Sequence, residues 1–277
     1  MRRYLAIVLA FAVVAAGVPV ASGAGAPTGA DTAAAVSGTT TSATQGQAIP
    51  TDNESDNSTT VTLLTYNDVQ TAMAQNTTVP RMIHLINERR AAHDNPTVVV
   101  GGGDQVSPHS LAPVSQWRLP VEVLNVLQPD VEVVGNHDLD YGFGPVANYS
   151  NASEFPWVMA NIVQEDSGEP IPGTEPYTVV ERDGVRVGVI GLADEQILGK
   201  TAVDFDEQGY ELRDYATVGQ EYATQLREEE DVDVVVVAGH FGIPTAQDLA
   251  NRTSGIDAVV VGDDEVEYPP AETDGTV

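Results

Sequence analysis

The tightest constraint on this chain is a set of short apolar runs, most of them valine-rich, at residues 61–66, 97–100, 131–134, 158–160, 185–190, 234–238 and 258–261. β-Branched residues in runs of this length favour strands, and runs without polar alternation read as strands covered on both faces. Between them, residues 78–93, 119–127 and 218–229 carry apolar side chains at helical spacing. Residues 177–182 and 185–190 flank Asp183-Gly184, a pair suited to a type I′ turn, so one antiparallel hairpin is expected there. The pattern predicts a mixed α/β domain with parallel strands. A length of 277 residues, 42% of them hydrophobic, suits one such domain plus processing segments.

The N-terminus supplies those segments. Arg2 and Arg3 precede an apolar run over residues 4–20, and small residues follow to position 26, so residues 1–26 read as a secretory signal peptide. The run is short for a membrane span, and no stable span is expected after cleavage. Residues 27–60 are Thr, Ser, Ala, Gly and Asp with almost no large apolar side chain, which predicts a flexible linker ahead of a domain at 61–277. The expected location is extracellular or at the cell surface.

Acidic residues number 41 against 12 basic ones, for a net charge of −29, and Lys200 is the sole lysine. Carboxylates at that density repel one another unless concentrated salt screens them, which predicts a halophilic protein. The same charge excludes a nucleic-acid polymer as partner, and a phosphate-bearing substrate would require metal ions. Without cysteine there is neither a disulfide nor a thiolate ligand.

In parallel α/β folds the loops leaving the C-terminal ends of strands collect functional groups. Here the first strand runs into Asn67-Asp68-Val69-Gln70, the second into Gly103-Asp104, and the third into Gly135-Asn136-His137-Asp138-Leu139-Asp140. Later strands end at Gly239-His240 and at Gly262-Asp263. Carboxylates, an amide oxygen and an imidazole gathered in this way suit two divalent ions about 3.5–4 Å apart.

These motifs, in this order, resemble those of the calcineurin-like metallophosphoesterases, and most closely the catalytic domain of the 5'-nucleotidase and 2',3'-cyclic phosphodiesterase branch. The resemblance implies a four-layer αββα fold, a β-sandwich flanked by helices. It makes Asp104 the bridging metal ligand, Asp68 a ligand of one ion, and Asn136 and His240 ligands of the other. It places His137 at the leaving group, oriented by Asp140, and implies hydrolysis of a phosphate ester, a nucleotide being the expected substrate. That branch continues into a C-terminal domain that contacts the nucleoside; this chain ends at Val277 and is expected to be truncated or to stand alone.

The sequence departs from the family where Gln70, Asp263 and Glu265 stand in place of histidines. All three can coordinate through oxygen, so the expected ligand set is Asp68, Gln70, Asp104, Asn136, His240, Asp263 and Glu265. An oxygen-rich site of this kind favours Mn2+ or Mg2+ over Zn2+. Its extra negative charge weakens the field on a phosphate dianion, so singly charged diesters are expected to fare better than dianionic monoesters. The alternative reading is a catalytically degenerate metal- or ligand-binding surface module that keeps the fold.

Overall fold

The computed structural model describes the backbone of residues 6–11, residues 60–264, and residues 270–273 and 275–277. Apart from residues 6–11 and Thr60, the expected leader and linker lie outside these, and so does Glu265.

The strands are β1 (Ala6–Phe11), β2 (Thr60–Tyr66), β3 (Thr97–Gly101), β4 (Val131–Val133), β5 (Trp157–Val158), β6 (Ile162–Gln164), β7 (Tyr177–Arg182), β8 (Val185–Ala193), β9 (Tyr210–Leu212), β10 (Val234–His240) and β11 (Ala258–Val261). The helices are α1 (Thr78–Ala92), α2 (Ala112–Ser115), α3 (Arg118–Leu127), α4 (Gly144–Ala152), α5 (Ile197–Lys200), α6 (Phe205–Gln208), α7 (Tyr215–Glu228) and α8 (Ile243–Arg252). The first sheet has the order β1-β2-β3-β4-β5, all parallel. The second has the order β11-β10-β8-β7, parallel except for the β7–β8 hairpin. The short strands β6 and β9 pair separately and antiparallel.

Valine dominates the central strands because its branched side chain packs well on a pleated surface buried from both sides. Every residue of β10 is buried, and so is all of β2 beyond Thr60. One face of each sheet meets the other sheet, with β4 and β5 against β8 and β10. The outer faces are covered by helices. Val79, Met82 and Ile86 of α1 join the core on the first sheet's side, while α7 and α8 pack on β8, β10 and β11. The result is the expected order of helix, sheet, sheet, helix.

Local chemistry sets the ends. Asp183 and Gly184 both have positive φ, as a type I′ turn requires, and they hold β7 and β8 in the predicted register. Asp214 caps α7 by accepting the Thr217 amide at 2.8 Å. The strand expected at 158–160 is observed at Trp157–Val158, because the Met159 and Ala160 amides turn from β4 to donate to the carbonyls of Glu175, ahead of β7, and of Gly191 in β8. Trp157 is core, its ring tilted against those of Tyr149 and Phe155.

One row of the first sheet is unusual. Tyr66, Gly101 and Glu132 are register partners across β2, β3 and β4. All three are buried. The missing side chain at Gly101 leaves space in which the Tyr66 hydroxyl donates to Glu132 Oε1. Burial pushes the Glu132 carboxyl well above the usual carboxylate range, and the nearby Asp138 charge adds to this.

Candidate metal centre

The C-terminal ends of β2, β3, β4, β10 and β11 lie along the same edge of the sandwich, so residues far apart in sequence meet there. Immediately past three of these strands the backbone turns left-handed at an aspartate, with φ of 52° at Asp68, 60° at Asp104 and 66° at Asp263. Aspartate tolerates that region better than most residues, because its short polar side chain bonds locally. The turns knit together: the Asp68 amide donates to Gly103 O and the Gln70 amide to Asp104 O, each at 3.1 Å, and the Asp263 amide donates to Asp68 Oδ2, also at 3.1 Å.

Asp68, Asp104 and His240 offer ligand atoms that all lie within 4.8 Å of one another. His240 is fixed by donation from Nδ1 to the Gly102 carbonyl at 2.8 Å, which turns Nε2 inward. Around Nε2 stand Asn136 Oδ1 at 3.0 Å, Asp104 Oδ1 at 3.3 Å and Asp263 Oδ1 at 3.8 Å. Gly103 allows this approach; a Cβ there would sit 2.6 Å from His240 Nδ1. Five of the seven sequence-predicted ligands are thus brought together. Gln70 lies beside them through its amide, and its side chain is buried with Oε1 lacking any partner. Glu265 lies outside the described residues.

The electrostatics show what the cluster lacks. Burial, followed by the charges of Asp104 and Asp263, pushes the Asp68 carboxyl up to about 6 despite His240 and a hydrogen bond from Asn67. Burial alone would lower the His240 imidazole, but the Asp104 carboxylate overrides it and holds the ring up at about 10. Both shifts express a surplus of buried negative charge. Together with the orphaned Gln70 oxygen, they mark a donor set that fits divalent cations, which would satisfy the oxygens and relieve the repulsion.

His137 is arranged differently. Its amide donates to Asp104 Oδ1 at 2.8 Å, but its ring is not among the grouped ligand atoms and has Nδ1 2.9 Å from Asp140 Oδ2. The side chain is 34% accessible, enough for a substrate to reach Nε2. The Asp140 hydrogen bond raises the imidazole above its ordinary value; partial burial opposes this and the Asp104 charge supports it. His109 is also buried, with Nε2 on the Gln116 carbonyl at 2.8 Å.

Two residues escaped the sequence reading. Asp138 is fully buried and accepts four backbone amides: Asp104 and Gly135 on Oδ2, Gln105 and Val106 on Oδ1, all at 2.8–2.9 Å. It ties the loop after β3 to the loop after β4. Lys200, at the end of α5, pairs its ammonium with Asp263 Oδ2.

Comparison with known proteins agrees with this geometry. Residues 62–266 match the family described as calcineurin-like phosphoesterase. Among curated proteins, a 5'-nucleotidase-related protein of Glossina morsitans morsitans is 24% identical over 66% of this chain and 33% of its own length. The trifunctional nucleotide phosphoesterase YfkN of Bacillus subtilis is 28% identical over 76% of this chain and 16% of its own. The chain therefore spans a third or less of these relatives. Among solved structures, NAD nucleotidase of Haemophilus influenzae superposes with a TM-score of 0.65 at 17% identity, over 75% of this chain and 43% of that one. The YfkN phosphoesterase structure gives 0.64 at 24% identity, over 76% and 73%.

Proposed function

Because the chain belongs to the calcineurin-like phosphoesterase family, which residues 62–266 match, we propose that it is an exported, 5'-nucleotidase-like hydrolase of phosphate esters with a two-ion centre. The observation that carries this reading is the division of labour at the strand ends. Asp104 stands against both Asp68 and His240 in the cation-seeking cluster, while the His137–Asp140 pair sits just outside it with an accessible ring.

Asp68, Gln70 and Asp104 would hold one ion, and Asp104, Asn136, His240 and Asp263 the other, with Glu265 as a further ligand of the first. When bound, the ions supply Lewis acidity toward phosphoryl oxygens and toward water. The protein's own groups then do the rest. His137, kept protonated by Asp140, donates from Nε2 to the departing ester oxygen, and Asp140 holds the ring in the orientation that donation needs. Asp138 keeps the two loops that carry Asp104, Asn136 and His137 in register. The oxygen-rich donor set supports Mn2+ or Mg2+ over Zn2+. A nucleotide substrate is suggested by the names of the relatives, and export by residues 1–26.

A second reading, a degenerate binding module, draws support from the Lys200–Asp263 pair, which engages a candidate ligand. One experiment separates the two. The chelated protein is titrated with Mn2+, Mg2+ and Zn2+ in molar KCl, and hydrolysis of an aryl phosphate, a 5'-nucleotide and a 2',3'-cyclic nucleotide is followed. The enzyme reading expects Mn2+-dependent turnover; tight metal binding with no turnover of any ester leaves only the module.

A further inference from the structure

The one lysine in a chain of 277 residues lies in the candidate site. All other fixed positive charges are arginines, and those with close carboxylate partners, such as Arg252 with Asp214 and Arg227 with Asp257, pair with groups outside the site. Lys200 is held from two sides. Ile197, buried at the start of α5, anchors the turn. The Lys200 carbonyl lies 3.5 Å from Asn136 Nδ2, the outer limit of a hydrogen bond. Its ammonium meets Asp263 Oδ2, and the other oxygen of that carboxylate is 3.8 Å from His240 Nε2. The charge thus sits one carboxylate's width from the metal cluster. Its side chain is 39% accessible, open to the same solvent that reaches His137.

Charge counting gives this placement a purpose. Of the candidate carboxylate ligands within the described residues, Asp68, Asp104 and Asp263 would leave two divalent ions with a single net positive charge, and Lys200 brings the total to two. A lysine is suited to this, being a compact charge on a flexible stem that can turn from one oxygen to another, whereas an arginine fork is fixed in geometry.

We propose that Lys200 is a substrate-positioning residue, which takes the outer oxygens of a phosphate monoester and makes the site selective for dianionic esters. This rests on the phosphoesterase reading above and reverses the diester preference expected from the sequence. In the resting protein Lys200 neutralises Asp263; with ions bound to that carboxylate, the ammonium swings to the phosphoryl group.

The test uses the full chain as wild type, Lys200→Met and Lys200→Arg in molar KCl. For Mn2+-loaded protein, Lys200→Met is expected to lose about tenfold to a hundredfold in kcat/KM on a dianionic aryl monoester, the usual worth of one charged hydrogen bond. On a singly charged bis-aryl diester it should stay within about twofold, and Lys200→Arg should recover part of the monoester loss. Two readouts need no turnover. Calorimetry should show that Lys200→Met binds Mn2+ more tightly in the apo-protein, because a competing cation has gone. The loaded variant should bind inorganic phosphate more weakly. Equal losses on both esters, or unchanged Mn2+ and phosphate affinities, would reduce Lys200 to a surface ion pair and overturn the proposal. If wild type turns over neither ester, the hydrolase reading fails, while the Mn2+ and phosphate affinities still decide the role of Lys200.

Discussion

At Asp138 a single carboxylate satisfies four amides that the two site loops would otherwise bury unpaired. Removing it strands those donors, so Asp138→Ala is expected to cost about 3–5 kcal/mol and to lower metal occupancy although the residue contacts no ion. Urea unfolding alongside elemental analysis checks this; a loss below about 1 kcal/mol would mean that the loops hold themselves. The left-handed backbone at Asp68, Asp104 and Asp263 decides how these candidate ligands should be probed. Alanine at φ near 60° adds backbone strain to the loss of the ligand, whereas asparagine tolerates that region, so Asp104→Asn reports on coordination alone. That variant is expected to empty the centre, while His137→Ala keeps its metal and loses turnover by about 10²–10⁴-fold, the range of a general acid. Comparable metal loss in both would erase the assigned division of roles. That Asp68, Asp104, Asn136 and His240 would meet was legible from the order of the strand-end motifs, which resembles that of the family, since each residue taken alone would as readily close a turn, cap a helix or fill the core. Asp138 was not, since its partners are backbone amides whose positions exist only once both loops have folded.

Among the elements, β4 carries the least expected residue. The run at 131–134 reads as a strand covered on both faces, where a carboxylate is out of place, yet Glu132 is buried opposite Gly101. Because burial holds its folded carboxyl protonated where the unfolded chain would release the proton, the native state binds more protons than the unfolded one above the ordinary carboxylate range. Stability contributed by this group is complete below that range and declines as pH rises toward its raised folded value. Glu132→Gln keeps an acceptor for Tyr66 and has no proton to lose. Its urea midpoint is expected to fall less steeply than that of wild type between pH 5 and 9, so that the two curves diverge as pH rises; parallel curves would show that Glu132 ionises freely. The β7–β8 hairpin was legible from two turn residues. The β6–β9 pair was not, because three-residue strands separated by more than forty positions leave no periodic signal. Nor was α8, which buries only Leu249 and Ala250 and so shows too thin an apolar stripe.

For the molecule as a whole, composition spoke more plainly than any element. A net charge of −29 over 277 residues predicts that the thermal unfolding midpoint climbs between 0.1 and 3 M KCl, by roughly 2–4 °C for each kcal/mol of repulsion relieved. A flat or falling midpoint would remove the halophilic reading. What the sequence did not disclose is which parallel strands share a sheet, since nearly every run is equally apolar. That division matters to the site. Asp68, Asp104 and Asn136 belong to the first sheet's edge, and His240 and Asp263 to the second's. An ion held by both groups is therefore a rivet through the seam of the sandwich. Its affinity becomes part of the cohesion between the two halves, worth about 2.7 kcal/mol when free metal stands at a hundred times its dissociation constant. A fold built without cysteine would thus carry, at this edge, a removable fastening whose strength is set by the free metal around it.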